Sequence, residues 1–246
     1  MEIFRKMSFA DSTGDAIPFY HEGKYHIFSL TSPPGTTVYP ERLRTTWSHS
    51  ISDDLVHWQE LPTALYPGEG DEPDASGVWT GSVIYGEGQY HAFYTGYCLT
   101  AEFQQTICHA TSDDGITWTK DIANPVITPM TELYEKLDWR DPYVFYNEED
   151  ENYWILISAR RLDMPVTRRG CIVLYRSKNL KDWTYYGPIY SPGHTNCPEC
   201  PEMYKMGGHW YLSYSRFSEF VNTIYRVSES PDRKSTRLNS SHSSVS

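Results

Sequence analysis

The sequence predicts an all-β protein of the β-propeller class, on three observations. Of 246 residues, 20 are Tyr, 8 Trp and 9 Phe, set in short Thr-, Val- and Ile-containing runs broken by Gly, Pro, Asn and Asp, the texture of repeated strands and turns. No long stretch carries apolar residues at the 3.6-residue spacing of a helix. A unit of about 60 residues also recurs along the chain, as one supersecondary element repeated would.

Each unit has two recognisable parts. The first is a hairpin strand: "GKYHIFSL" from Gly23, "GQYHAFYTGY" from Gly88, "NYWILISAR" from Asn152 and "GHWYLSYSRF" from Gly208, whose leading aromatics Tyr25, Tyr90, Tyr153 and Trp210 lie 65, 63 and 57 residues apart. The second is "WSHSISDDLVHWQEL" from Trp47, "ICHATSDDGITWTKD" from Ile107 and "LYRSKNLKDWTYYG" from Leu174. Here an alternating strand meets an Asp-, Gly- or Asn-rich turn, and a Trp opens the next strand; Trp58, Trp118 and Trp183 recur at 60 and 65 residues. Asp53, Asp54, Asp113 and Asp114 fall at equivalent turns and read as turn formers.

A unit holding about four short strands is a propeller blade, here with longer loops than the roughly 40 to 50 residues of familiar repeats. Residues 1–231 therefore read as a partial propeller of about three and a half blades. A β-sandwich with regularly spaced turns is the competing architecture. From Asp232 the chain runs "DRKSTRLNSSHSSVS", which drops the aromatic texture and is similar to a translated sequencing adapter. Residues 232–246 are read as a non-native tail, against a disordered native one, and the natural chain is expected to continue past Pro231.

The net charge of −11 argues against a nucleic-acid partner, which needs clustered Lys and Arg to displace counterions. The N-terminus lacks the apolar core of a secretory signal, and no run approaches a membrane span. Five scattered cysteines, an odd number, fit reduced thiols, and the expected location is cytoplasmic.

Upstream of each hairpin strand stands a polar or small group followed by a short apolar run: "GDAIPFYHE", "VWTGSVIYGE", "WRDPYVFYNEEDE" and "CPECPEMYKMG". Each should open the innermost strand of its blade. The carboxylates at those openings, Asp15, Asp141 and Glu199, would then face a common funnel. Carboxyl groups among aromatics suit glycoside hydrolysis, in which one protonates the leaving oxygen and another attacks or directs water. Tyr and Trp offer flat faces to a sugar's C–H surface.

In chain order, "WSHSISDDLVHWQELPTAL", "VWTGSV", "WRDPYVF" and "ECPEMY" resemble the Trp-x-His with Ser-x-Asp-Leu, Phe-Ser-Gly-Ser, Arg-Asp-Pro and Glu-Cys-Pro motifs of glycoside hydrolase family 32. That family holds β-fructofuranosidases, inulinases and levanases, within a five-bladed propeller group that includes families 43 and 68. The resemblance runs from about Gly14 to Ser230. It implies a retaining, metal-independent glycosidase without cofactor, acting on terminal β-fructosyl linkages of sucrose or short fructans. It makes Asp15 the nucleophile, Glu199 the general acid/base and Asp141 a fixed carboxylate steadying the oxocarbenium-like transition state. Arg140 orients them, and Trp47, His49, Trp79 and Ser82 belong to the pocket wall. Where the family carries Trp-Met-Asn-Asp-Pro-Asn-Gly, this chain has "FADSTGDAIPFYHEGKYH", a spacing more like the opening of family 43, with Asp11 as a competing nucleophile.

Two further readings stand beside this one. An inverting arabinosidase or xylosidase would separate its carboxyl groups by about 6.5 to 9.5 Å, against about 5 to 5.5 Å for a retaining enzyme. A non-catalytic sugar-binding propeller would survive loss of the carboxylates. Glu202 is the alternative to Glu199 as the acid, with a supporting role otherwise. The Cys197 and Cys200 pair lacks the second pair of a zinc site and the βαβ setting of a redox site, so both thiols read as small buried side chains.

Overall fold

The computed structural model describes residues 12–231 and the backbone of 241–243. The competing nucleophile Asp11 lies outside the described residues. The chain divides into two compact units, Met1–Val126 and Ile127–Ser246, and each is built from two four-stranded antiparallel sheets with strands in sequence order, the connectivity of a propeller blade. The expected all-β class holds.

The first unit holds β1 (Thr13–His21), β2 (Lys24–Thr31), β3 (Thr46–Ser52) and β4 (Trp58–Leu65) in one sheet, and β5 (Gly77–Gly86), β6 (Gln89–Tyr97), β7 (Gln105–Ser112) and β8 (Thr119–Lys120) in the other. The second unit holds β9 (Tyr134–Asn147), β10 (Asn152–Arg161), β11 (Gly170–Ser177) and β12 (Thr184–Tyr190), then β13 (Glu199–Met206), β14 (His209–Arg216), β15 (Asn222–Ser228) and β16 (Ser241–Ser243). β16 comes from the stretch the sequence sets apart as adapter-like. It pairs through the backbone with Thr223 to Tyr225, and ladder hydrogen bonds of this kind carry no side-chain specificity.

Local chemistry explains the hairpins. β1–β2, β5–β6 and β13–β14 close on two-residue turns at Glu22-Gly23, Glu87-Gly88 and Gly207-Gly208, and all six residues have positive φ. That is the turn whose twist matches paired strands, and glycine supplies its left-handed positions. The second repeat half ends in a side-chain-built turn. Ser52, Ser112 and Ser177 accept backbone N–H bonds through Oγ, and Asp54, Asp114 and Asn179 each accept two through Oδ1. A left-handed residue follows, Leu55, Gly115 or Leu180. Asp54 and Asp114 thus have the turn-forming role read from the repeat, and backbone N–H bonds hold the Asp114 carboxyl down at about 2.

The first unit's core gathers Ile17, Phe28, Trp47, Leu65, Val78, Val83, Tyr94 and Ala110, and the second's gathers Trp154, Leu156, Ile172, Leu174, Met203, Trp210 and Tyr214. A histidine pair is duplicated in the first unit. His26 and His49 are 3.0 Å apart with Phe28 stacked on His49, and His91 and His109 repeat the distance with Phe93 stacked on His109. His109 Nδ1 meets Asp121 at 3.1 Å. His49 Nδ1 has no hydrogen-bond partner among the described residues.

Burial first, and His26 second, pull His49 down to about 3. Its protonated form is disfavoured in the fold and normal, near 6.5, in the unfolded chain. Protons therefore bind the unfolded state preferentially as pH falls from about 6.5 towards 3, and stability declines over that window by up to about 1.4 kcal/mol per pH unit. His49→Gln removes the titration. Denaturation midpoints at pH 7 and pH 5 should converge in the variant relative to the parent, and an unchanged pH slope would show that His49 is not the group responsible.

Candidate active site

The first strand of every sheet carries one extra residue at the same level. In β1 the register shifts between Thr13 and Ala16, in β5 between Val78 and Gly81, in β9 between Arg140 and Tyr143 opposite Leu156 and Ser158, and in β13 between Glu199 and Glu202. A bulge re-aims the side chains around it and is over-represented at functional sites. Asp15, Trp79 with Thr80, Asp141 and Cys200 occupy the four bulges, and Glu199 stands at the edge of the last. Gly81 permits the second: a Cβ there would lie 2.1 Å from the Phe93 carbonyl oxygen.

In the first unit Asp15 is exposed and its Oδ2 accepts a short hydrogen bond from Thr80 Oγ1. Thr80 is itself fixed, because Thr95 Oγ1 donates to its carbonyl at 2.9 Å. Trp79 is half-buried: its indole N–H donates to Leu43 O at 3.0 Å, its carbonyl accepts from Trp47 Nε1 at 2.9 Å, and its ring stacks on Tyr97 with centroids 4.1 Å apart. Trp47 and His49 are both 0% exposed and Ser82 is 5% exposed. β3 is covered on both faces, with Trp47 to Ser50 all buried.

In the second unit the structure brings Arg140, Asp141 and Glu199 together. Arg140 Nη2 donates to Glu199 Oε1 at 3.0 Å, Nη1 donates to Asp138 Oδ1 at 2.6 Å, and Nε stands 3.7 Å from Asp141 Oδ2. Burial opposes the Arg140 charge, but the Asp141 and Asp138 carboxylates beside it more than offset that, and its proton is held well above the usual range. Asp141, 6% exposed, also accepts from Cys200 N at 3.0 Å. Asp141 and Cys200 have φ of 56° and 47°, left-handed values that cost about 1–3 kcal/mol each and persist where surrounding contacts impose them. The backbone at the two motifs is thus shaped to join an amide donor to a buried carboxylate.

Cys197 is buried and desolvation first pushes it up to about 12, so it is a neutral packing group. Cys200 is half-exposed, which corrects its reading as buried; its contribution is the amide to Asp141. Glu202 is an exposed residue that accepts from Ser213 Oγ at 3.4 Å, and desolvation raises its carboxyl. Beside it, Tyr143 is raised to about 12 by desolvation and then by Glu202.

Sequence reasoning missed Thr80, Asp138 and Arg160. Asp138 had a signal, since residues two apart on a strand share a face and "DWRD" places Asp138 beside Arg140. Thr80 had a weaker one, as the residue after Trp79 in an otherwise noted segment. Arg160 had none.

Comparison with known proteins gives one consistent picture. The model for the glycosyl hydrolases family 32 N-terminal domain matches residues 15–242. A levanase of Bacillus subtilis is 33% identical over 76% of this chain and 26% of its own length, and a raffinose invertase of Escherichia coli is 32% identical over 80% and 39%. Among solved structures, fructan 1-exohydrolase IIa from Cichorium intybus superposes with a TM-score of 0.74 at 25% identity, covering 89% of this chain and 42% of that one. That superposition carries the propeller class. The chain spans roughly a quarter to two fifths of the length of these relatives.

Proposed function

Because the chain belongs to glycosyl hydrolase family 32, we propose that the protein containing it is a glycosidase releasing β-fructosyl units from sucrose or short fructans. The observation that carries this is the Arg140 cluster, in which one guanidinium joins Asp138, Asp141 and Glu199 at the bulged openings of β9 and β13. Relatives named levanase and raffinose invertase favour the β-fructosyl linkage over the arabinosyl or xylosyl alternative.

In this reading Glu199 donates its proton to the glycosidic oxygen as the bond to the anomeric carbon breaks. The Asp15 carboxylate attacks that carbon and forms a covalent fructosyl ester. Glu199, now ionised, takes a proton from water, which attacks the same carbon and frees Asp15, so configuration is retained. The Thr80 hydroxyl orients Asp15. Asp141 accepts from sugar hydroxyls and balances the positive charge that develops at the anomeric centre. Arg140 orients Glu199 and Asp141, and the half-buried face of Trp79 offers a surface for the ring's C–H groups. No cofactor takes part.

Residues 1–231 form the propeller portion in this proposal and 232–246 an adapter-derived run. Among the described residues no helix is long and apolar enough to cross a membrane. Five free cysteines, four of them buried, support a cytoplasmic location. The partner is a small carbohydrate rather than nucleic acid or membrane.

The test uses the protein at its full natural length, incubated with sucrose in dilute methanol. A retaining enzyme transfers the fructosyl group to methanol as methyl β-fructoside. Methyl α-fructoside would instead establish inversion, and absence of any fructosyl release would end the proposal.

A further inference from the structure

The arginine cluster extends beyond the three motif residues. Arg160, 5% exposed at the end of β10, donates through Nε and Nη2 to both oxygens of Glu135 at 2.8 and 3.3 Å. Its Nη1 donates to Asn196 O and its Nη2 to Val166 O, at 2.8 and 2.9 Å, and its Nε lies 3.4 Å from Asp138 Oδ2. Arg169 Nη1 closes the far end on Glu135 Oε1 at 2.6 Å. The strand is shaped for this: between the pairs Ala159↔Trp139 and Arg161↔Tyr134, residues 135 to 138 loop out opposite Arg160 alone. Asp138 gives one oxygen to Arg140 and faces Arg160 with the other. Arg160 also anchors Asn196, three residues before Glu199.

With Glu199 ionised, three cations (Arg140, Arg160, Arg169) face four anions (Glu135, Asp138, Asp141, Glu199). The cluster is neutral once Glu199 carries the proton a general acid must deliver. We propose that Arg160 is a positioning residue that sets the proton affinity of Glu199 through Asp138 and Arg140; this rests on the reading of Glu199 as the acid/base. The other titratable groups of the neighbouring segments are the same in parent and variants: Tyr143 on β9, Cys197, Cys200 and Glu202 on the segment of Glu199 itself, and Arg216, next to Ser215, the β14 partner of Glu199, and 3.5 Å from Glu219.

The sign of each substitution follows from charge alone. Arg160→Met leaves an extra negative charge, makes Glu199 harder to deprotonate, and moves the alkaline limb of the kcat/KM profile up by roughly half to one pH unit. Glu135→Gln removes a negative charge and moves the limb down. The double variant restores the parental balance and returns the limb to its parental position. A carbon-13 NMR titration of the Glu199 carboxyl in the full-length protein reads the same shifts without turnover. The charge proposal therefore stands or falls even if the glycosidase reading fails, and loss of that reading would show as a parent that releases no fructose. A purely structural Arg160 would lower the melting midpoint of Arg160→Met and leave both limb and titration in place. That result, or shifts of the same sign in the two single variants, overturns the proposal.

Discussion

Glu199→Gln should lower kcat on sucrose by about 10³-fold in the full-length protein, within the range for loss of a positioned general acid/base. Glutamine keeps the shape and can still accept from Arg140 Nη2, which now meets Glu199 at 3.0 Å, so melting temperature and sucrose affinity should change little. The loss should depend on the leaving group. A sugar oxygen needs a proton as it departs, whereas fluoride does not, so fructosyl fluoride should retain a much larger share of its parental fructosylation rate. Water then lacks its base, and azide, a nucleophile needing none, should speed breakdown of the fructosyl ester. Equal losses on sucrose and fructosyl fluoride would remove the acid from Glu199 and direct attention to Glu202, which desolvation raises as a protonated acid would require.

Much of the fold was legible because its period is carried by residues with local causes. Glycines at the left-handed hairpin positions, and the Ser-x-Asp or Ser-x-Asn turns before Trp58, Trp118 and Trp183, act within a few residues of themselves. The site was legible only in part. Arg140, Asp141 and Glu199 stood in recognisable strings, but the bulges that aim them are properties of cross-strand register, which no single strand encodes. The full burial of Trp47 and His49 was not legible, because a strand covered on both faces loses the alternation that would reveal it. Arg160 was invisible, since its partners Glu135, Val166 and Asn196 are brought to it by folding from 25 residues before to 36 after.

Asp15→Asn should have the largest effect, about a 10⁴-fold loss of kcat, because an amide oxygen cannot form the covalent ester on which a retaining route depends. Thr80→Val, which removes the hydroxyl donor to Asp15 Oδ2, should cost about tenfold, as loss of one orienting hydrogen bond does. The informative variant is the double, Asp15→Asn with Glu199→Gln. Asp15 belongs to the first unit and Glu199 to the second. If the two carboxylates serve successive moments of one reaction, removing the second after the first has little left to destroy. The double variant should then fall only slightly below Asp15→Asn alone, as members of a single catalytic apparatus do. Independent sites would multiply to about a 10⁷-fold loss. A multiplicative result, or an Asp15→Asn protein that still transfers fructosyl groups to methanol, would take the nucleophile away from the bulge of β1, while the arginine-bound carboxylates of the second unit would keep their assigned chemistry until Glu199→Gln had spoken for itself.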